Sequence, residues 1–364
     1  MTSKGKKKTR KWLNNILPIF FAILLGLFIG GLVILIAGKN PLIIYGEMFN
    51  KSLMHPYLVQ TLIRSIPIII SSIAIIASWR AGYINLGVEG QMIFGALAAT
   101  VVALYVPGPP FLVMILSIIV GMIVGALYAL IASILNLKFD VSIVISTLMM
   151  NYIANYIATY FVTYPLKDMS GDGLRSQTPA INEALRFSKI GNTGTFNTGF
   201  IIMIIVVIAY IFIERKTEFG YESKMTGLNP TFSKYGGINQ KRTALKTMAL
   251  SGAIAALGGI IEIFGVKYKY TANMFGSASY AWTGLMAALI SGLNPVGSFI
   301  VGLFLSALQV GGQSIQRTTG IPIELSSVIQ SCITLFVSAK LFTKFAKNRK
   351  KEKKLKEVIS EEVR

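Results

Sequence analysis

The stretch RAGYINLGVEGQ, residues 80–91, interrupts a chain that is apolar on both sides of it. Glycines at 82, 87 and 90 release the backbone from regular helix, and irregular backbone at membrane depth is tolerated only where protein or water covers it. The segment is therefore expected to face a cavity. Glu89 near mid-membrane would cost about 2.5–3.5 kcal/mol on insertion scales, so it calls for a partner or a task. Asn85 and Gln91 bring further hydrogen-bonding groups to the same place. A second reading sets the segment at the membrane surface, with Glu89 hydrated and paired with Arg80.

Outward from this break the composition decides the class. Of 364 residues, 53% are hydrophobic and 14% charged, far from the balance of a soluble domain. A bilayer core about 30 Å thick takes roughly 20 helical residues to cross. Apolar stretches of that order recur near 16–37, 57–79, 91–106, 111–135, 142–164, 199–213, 247–266, 280–292, 296–312 and 322–341. The expected fold is all-α: a polytopic membrane protein of about ten transmembrane helices, including glycine-rich interrupted segments. The first stretch follows KGKKKTRK, but it is longer than a signal core and lacks a small-residue cleavage site, so it reads as a retained helix.

The net charge of +20 raises the question of nucleic acid, and its placement answers it. Six Lys or Arg lie in residues 1–12, seven in 214–246 and ten in 340–364; with Arg80 and Lys138 these make 25 of the 35. With ten spans all of them fall on one side, which the positive-inside rule makes the cytoplasm. Both termini are then cytoplasmic. Residues 1–15 and 342–364 form basic tails, 16–341 the transmembrane domain, 214–246 an inner loop and 165–198 an outer one. The charge serves the membrane, and no nucleic-acid partner is expected.

Several chemistries are set aside by residues the sequence lacks. Cys332 is the lone cysteine and His55 the lone histidine, so no disulfide framework, metal site or cofactor is expected, and no catalytic residue is assigned. There is no G-x-x-x-x-G-K-[ST] loop for binding ATP. A membrane transferase would show paired carboxylates near a span end, and none is visible. An ion-coupled carrier would rest on Glu89, Glu262 and Glu324, the last two read as lying near outer ends.

Three constellations remain. The first is a pair of breaks, 82–90 leading into MIFGALAA and FGSASYAWTG leading into LMAALISG, the kind of paired interruption that marks a transporter's binding region. The second is MNYIANYIATYFVTY, in which Asn151, Asn155 and Thr159 form one helical stripe and Tyr152, Tyr156 and Tyr160 the adjacent one. Amides beside aromatic faces suit a ligand with a flat ring and hydroxyls, such as a nucleoside; equally, Asn serves as interhelical glue and Tyr as an interfacial belt. Trp282, beside the second break, carries the same pair of readings. The third is GLNPTFSKYGGI, where Asn229 caps, Pro230 opens and Gly236 with Gly237 closes a helix of under two turns, presented to the cytoplasm for a soluble partner. Arg64, one turn before Pro67, is either a snorkelling residue or a pore group.

RAGYINLGVEGQMIFGA resembles the signature of ABC-type importer permeases for sugars, branched-chain amino acids and nucleosides, and its N-L-G-x-E-G-Q form is most similar to the nucleoside branch. TEFGYESKMTGLNPTFSKYGGI followed by SGAIAALGG resembles the coupling segment of the same family. Lys224 stands where that family usually has Arg, and Phe232 with Ser233 where it tends to have an alanine pair. The resemblance, from about Pro18 to Lys340, implies a cytoplasmic ATP-hydrolysing subunit, a second permease chain in a heterodimer and an extracellular substrate-binding lipoprotein. It implies that Lys224, Gly227, Asn229, Pro230, Tyr235 and Gly237 form the seat on the ATPase. Asn85, Glu89 and Gln91 would then lie on the substrate path, joined by Asn151, Tyr152, Asn155, Tyr156 and Trp282 from the residue reading.

Overall fold

The computed structural model describes residues 24–36, 38–170, 173–191 and 195–319, with scattered positions from 324 to 335. The basic tails 1–15 and 342–364, and most of the stretch 322–341, lie outside the described residues. The described residues are helical, and among them no strand occurs, only two isolated bridges, Gln177 with Thr271 and Lys189 with Asn197. In chain order the helices are α1 Leu24–Ile36, α2 Pro41–Leu53, α3 Tyr57–Trp79, α4 Val88–Tyr105, α5 Pro110–Phe139 and α6 Ile143–Thr163. Then come α7 Gly199–Lys216, α8 Glu218–Leu228, α9 Pro230–Tyr235, α10 Gln240–Glu262, α11 Met274–Ala278, α12 Tyr280–Ile290 and α13 Pro295–Thr319.

Five of these, α3, α4, α5, α10 with the π turn that extends it to Lys267, and α13, are long and apolar enough to cross a bilayer. One expected span and the expected inner loop take another form. The stretch 280–292 is the 11-residue α12, about 16 Å long at 1.5 Å per residue, roughly half of a bilayer core. The inner loop 214–246 is mostly helix: besides the expected short helix, α8 opens at Thr217, whose side chain accepts from the Gly220 N–H, with Glu218 in its first turn. The outer segment does hold one short element, a 3₁₀ turn at Glu183–Leu185.

Two units are distinguished, residues 51–310 and the terminal segments up to 50 and from 311. Within the terminal unit, Tyr45 donates to the Leu27 carbonyl, and Gly30 packs on Ile329 and Tyr45. The larger unit is built round α3 and α10. Helix α3 is apolar over nearly its whole circumference, and 16 of its 23 residues are buried. Helix α10 packs against α5, α3 and α4. Small residues make that approach close: Gly121 and Gly125 of α5 face Gly252, Ala256 and Ile260 of α10, and no side chain longer than hydrogen fits between the backbones at these points.

The two ends of this unit differ in make-up. At one end the close of α3, the close of α7, α8, α9 and the start of α10 meet. At the other, the 166–198 segment is pinned to the end of α10: Phe187 N–H donates to the Phe264 carbonyl, Ile181 to Tyr268 and Thr178 to Tyr270. Asn197 completes that seam by donating to the Gly265 carbonyl while accepting from the Gly199 N–H.

Candidate functional site

The opening stretch is a break between α3 and α4, running over residues 80–87. Helix α3 closes with Gly82 in the left-handed region (φ 89°), the Tyr83 N–H returning to the Ser78 carbonyl and the Gly82 N–H to Trp79. This is the bond pattern that glycine permits at a helix end. Helix α4 restarts at Val88, which places Glu89 in its first turn, where the helix N-terminus favours a carboxylate.

From Asn85 to Gly90 the break and the start of α4 are buried or half-buried, so their backbone groups must find partners. They find them on α6. Asn151 accepts from the Gly90 N–H and donates to the Leu86 carbonyl, both at 2.8 Å, and Thr147 Oγ1 accepts from the Leu86 N–H at 3.2 Å. From inside the break Asn85 closes a second set: its Oδ1 accepts from the Gly87 N–H and Gln91 Nε2, and its Nδ2 donates to Gln91 Oε1 and Ser251 Oγ. Ser251 in turn donates to the Ala74 carbonyl, which ties α10 to α3 through the same polar core.

Against this core lies a narrow cleft lined by Ile75, Asn85, Leu86, Val88, Glu89, Asn151, Ala281, Trp282 and Leu285. Four of the residues expected on the substrate path, Asn85, Glu89, Asn151 and Trp282, thus come together. Gln91 sits behind them, bonded to Asn85 and buried. Asn155 is half-buried one turn further along α6. Tyr152 and Tyr156 face elsewhere, 58% and 74% exposed on the outer side of α6. Glu89 is half-buried and lines the cleft beside Trp282. Its alternative partner is engaged elsewhere: Arg80 forms an ion pair with Glu214 at the end of α7.

Trp282 belongs to the second break, and glycine does not make it. Asn273 (φ 56°) and Ser279 (φ 54°) flank α11 in the left-handed region, and the Ser279 N–H ends that helix on the Phe275 and Gly276 carbonyls. Behind α12 is a polar cluster that the sequence reading did not assemble. Buried Glu262 accepts from Tyr280 Oη at 2.9 Å. Arg64 donates from Nε to Gln309 at 2.7 Å and stands 5.5 Å over the Tyr280 ring, and Gln309 donates to Thr283 at 2.7 Å. Glu262, the last residue of α10, thus stands near the span's end as expected but is buried in the core there. The periodicity of the chain carries no signal for this cluster, because its members lie on α3, α10, α12 and α13.

The seat expected at Lys224, Gly227, Asn229, Pro230, Tyr235 and Gly237 is exposed. Asn229 caps α9 by accepting from the Phe232 N–H at 3.0 Å, Pro230 is its first residue, and Gly237 (φ 79°) turns the chain out. Beside it Leu228, Phe232 and Tyr235 are 60–88% exposed, an apolar patch of the sort that marks a docking surface. This segment is joined to the break directly. Gly227 lies on the Arg80 carbonyl, Tyr83 Oη donates to the Gln240 carbonyl at 3.2 Å, and Gln240 donates to Ser233 Oγ at 2.9 Å and to the Pro230 carbonyl. Lys224 lines a second small cleft with Arg80, Glu214 and Tyr210.

Two broken helices round a polar cleft, in a bundle of membrane-length apolar helices, define a membrane transport subunit. Residues 57–338 match the family described as the permease component of the branched-chain amino acid transport system, and the chain belongs to that family. It is 31% identical over 341 residues, 92% of each chain, to the nucleoside ABC transporter permease protein NupB of Lactococcus lactis subsp. cremoris. It is 30% identical over 344 residues, 94% of this chain and 99% of the other, to the guanosine ABC transporter permease protein NupP of Bacillus subtilis. The glucose ABC transporter permease protein TsgB13 of Haloferax volcanii is 29% identical over 344 residues, 92% of this chain and 89% of its own. The chain is an ABC importer permease and an integral membrane protein.

Proposed function

We propose that this chain carries nucleosides inward as one membrane subunit of an ATP-driven importer of the bacterial plasma membrane. The observation that carries the reading is the cleft at the first break, where the Glu89 carboxylate and the Trp282 indole meet between two interrupted helices. A carboxylate suits hydroxyl and N–H donors and an indole face suits a flat base. The nucleoside and guanosine permeases among its relatives support the same cargo.

ATP hydrolysis belongs to a separate cytoplasmic subunit seated on the exposed patch of α8 and α9. Its movement reaches the cleft through Gly227, Gln240 and the 80–83 turn. A second permease chain completes a heterodimer, and an extracellular lipoprotein delivers the ligand. The protein then alternates between outward-open and inward-open states, the ATPase subunit shifting the balance by binding one of them more tightly. The apolar stretches supply about ten spans, and with ten spans the Lys and Arg distribution sets both termini, the tails 1–15 and 342–364 and the segment 214–246 on the cytoplasmic side and 165–198 outside.

The test is uptake of labelled nucleosides by cells with and without this chain, competed by excess unlabelled uridine, guanosine, ribose or leucine. Loss of uptake on deletion, competed by nucleosides alone, is the expected result; nucleoside uptake that persists unchanged in a strain with no other nucleoside carrier defeats it. Simple sugars are the second reading, favoured by the similarity to the glucose permease, and competition by ribose would select it.

A further inference from the structure

The cleft at the first break holds more polar residues than it offers to a ligand. Asn85 uses both amide protons and both carbonyl lone pairs inside the protein, on Gln91, Ser251 and Gly87. Asn151 is clamped by Gly90 on one side and Leu86 on the other. The Leu86 N–H and carbonyl are taken by Thr147 and Asn151, and the Asn85 carbonyl accepts from Trp79 Nε1 at 3.1 Å. A group so committed leaves its partner unsatisfied if it turns to a ligand, so these residues hold the wall in shape rather than read the cargo.

Glu89 is the exception. An ionised carboxylate offers about four acceptor positions and no donor, and Glu89 stands outside the Asn85, Gln91 and Asn151 bonds, lining the cleft beside the Trp282 indole. The rest of the lining, Ile75, Val88, Ala281, Leu285 and the 40%-exposed Trp282, is apolar. The cleft therefore combines an acceptor-only group with a flat apolar face, and it discriminates by the donors a ligand presents.

Resting on the nucleoside reading, we propose that Glu89 sets the substrate class of this cleft: a ring compound with two adjacent hydrogen-bond donors, both accepted by the Glu89 carboxylate while the ring lies against Trp282. Two parts of a nucleoside carry that chemistry, the N1–H and 2-amino edge of guanine and the cis-diol of ribose. Guanosine has both pairs, inosine lacks the 2-amino donor and 2′-deoxyguanosine lacks one hydroxyl of the diol, so the three ligands separate the two sources. Glu89→Gln keeps the shape and replaces one acceptor oxygen with a donor.

The experiment measures maximal uptake rates of labelled guanosine, inosine and 2′-deoxyguanosine by cells carrying the whole importer, with wild-type chain, Glu89→Gln and Glu89→Asp. The delivering lipoprotein is unchanged among the three strains, so a changed ratio between ligands belongs to this chain. Membrane levels of the chain and basal ATP hydrolysis of the assembled importer serve as controls for folding. Loss of one charged hydrogen bond corresponds to about a 10-fold fall. The expected result is that Glu89→Gln lowers the guanosine rate about 10-fold, lowers the rate of the ligand that lacks the relevant donor about twofold or less, and that Glu89→Asp restores part of the wild-type ratio. Sparing of inosine assigns the base edge, and sparing of 2′-deoxyguanosine assigns the diol. Rates that stay the same, or that fall equally for all three ligands, overturn the role of Glu89 while leaving nucleoside transport standing. A wild-type chain that carries none of the three defeats the nucleoside reading itself and the proposal with it.

Discussion

Gly227 of α8 lies against the Arg80 carbonyl at the close of α3, so near that a Cβ at position 227 would collide with the oxygen. The obstacle is main chain at a helix end and cannot rotate away as a side chain does. Gly227→Ala must therefore push α8 off the 80–83 turn, an overpacking that costs about 1–3 kcal/mol. At Gly236 a Cβ meets nothing nearer than 3.4 Å, and the backbone there has φ −75°. Gly227→Ala should lower the melting temperature of the purified protein by several degrees and sharply reduce ATP-driven uptake, whereas Gly236→Ala should alter neither to a comparable degree. Equal effects of the two changes would remove the close approach as the cause.

The ion pair between Arg80 and Glu214 joins the close of α3 to the close of α7, with 27% and 13% of the side chains exposed and one Glu214 oxygen left without a hydrogen bond among the described residues. Taking away the arginine strands a nearly buried carboxylate, and for buried pairs that costs about 3–5 kcal/mol; the exposure of Arg80 brings the expected loss to the lower end. Arg80→Met alone should be more destabilising than Arg80→Met combined with Glu214→Gln. Thermal unfolding of the two single variants and the double variant in detergent checks this. Additive effects would show that the two side chains do not interact.

How much of this was legible in the sequence depends on whether the cause was local. The capping of α9 was, because Asn229, Pro230 and the glycine pair each act within a few residues, and the structure places them in those roles. The break at 80–91 was, because its glycines and polar groups contrast with apolar flanks. Helix α8 was not: EFGYESKMTGL has neither an apolar stripe nor strong propensity, and it is helical through the Thr217 cap and its packing on α7 and α10. The second break was located correctly but attributed to glycine, when Ser279 makes the turn. The cluster of Arg64, Glu262, Tyr280, Thr283 and Gln309 was illegible for a different reason, since residues up to 245 positions apart meet only through the tertiary packing.

The two stripes of α6 separate into inside and outside, and this yields a contrast. Asn151→Ala removes partners from the Gly90 N–H and the Leu86 carbonyl, both in a buried break, at about 1–3 kcal/mol per stranded group. Tyr152→Phe and Tyr156→Phe remove hydroxyls from exposed positions that make no hydrogen bond among the described residues. Asn151→Ala should cost several degrees of melting temperature and the tyrosine changes about one degree or less. A tyrosine variant that loses uptake while keeping its melting temperature would place that ring on the substrate path, and one that keeps both would leave it to lipid or to a partner chain.

Glu262 and Tyr280 give the sharpest test of what holds α12, because here one group is a buried carboxylate, 3% exposed, and the other donates the hydrogen bond it accepts. Tyr280→Phe keeps the ring under Arg64 and deletes only the donor, leaving the Glu262 oxygen without it, at about 1–3 kcal/mol. Glu262→Gln still presents a carbonyl oxygen to Tyr280 and should be the milder change. Replacing both partners, Tyr280→Phe with Glu262→Leu, removes the polar requirement altogether and should stand closer to the wild-type melting temperature than Tyr280→Phe does. Since Trp282 is two residues along the same short helix, Tyr280→Phe should also slow uptake by more than its effect on the amount of folded protein. If the double variant is instead the least stable of the three, the bond is not what positions α12, and the packing of α12 against α3 must be holding it in place.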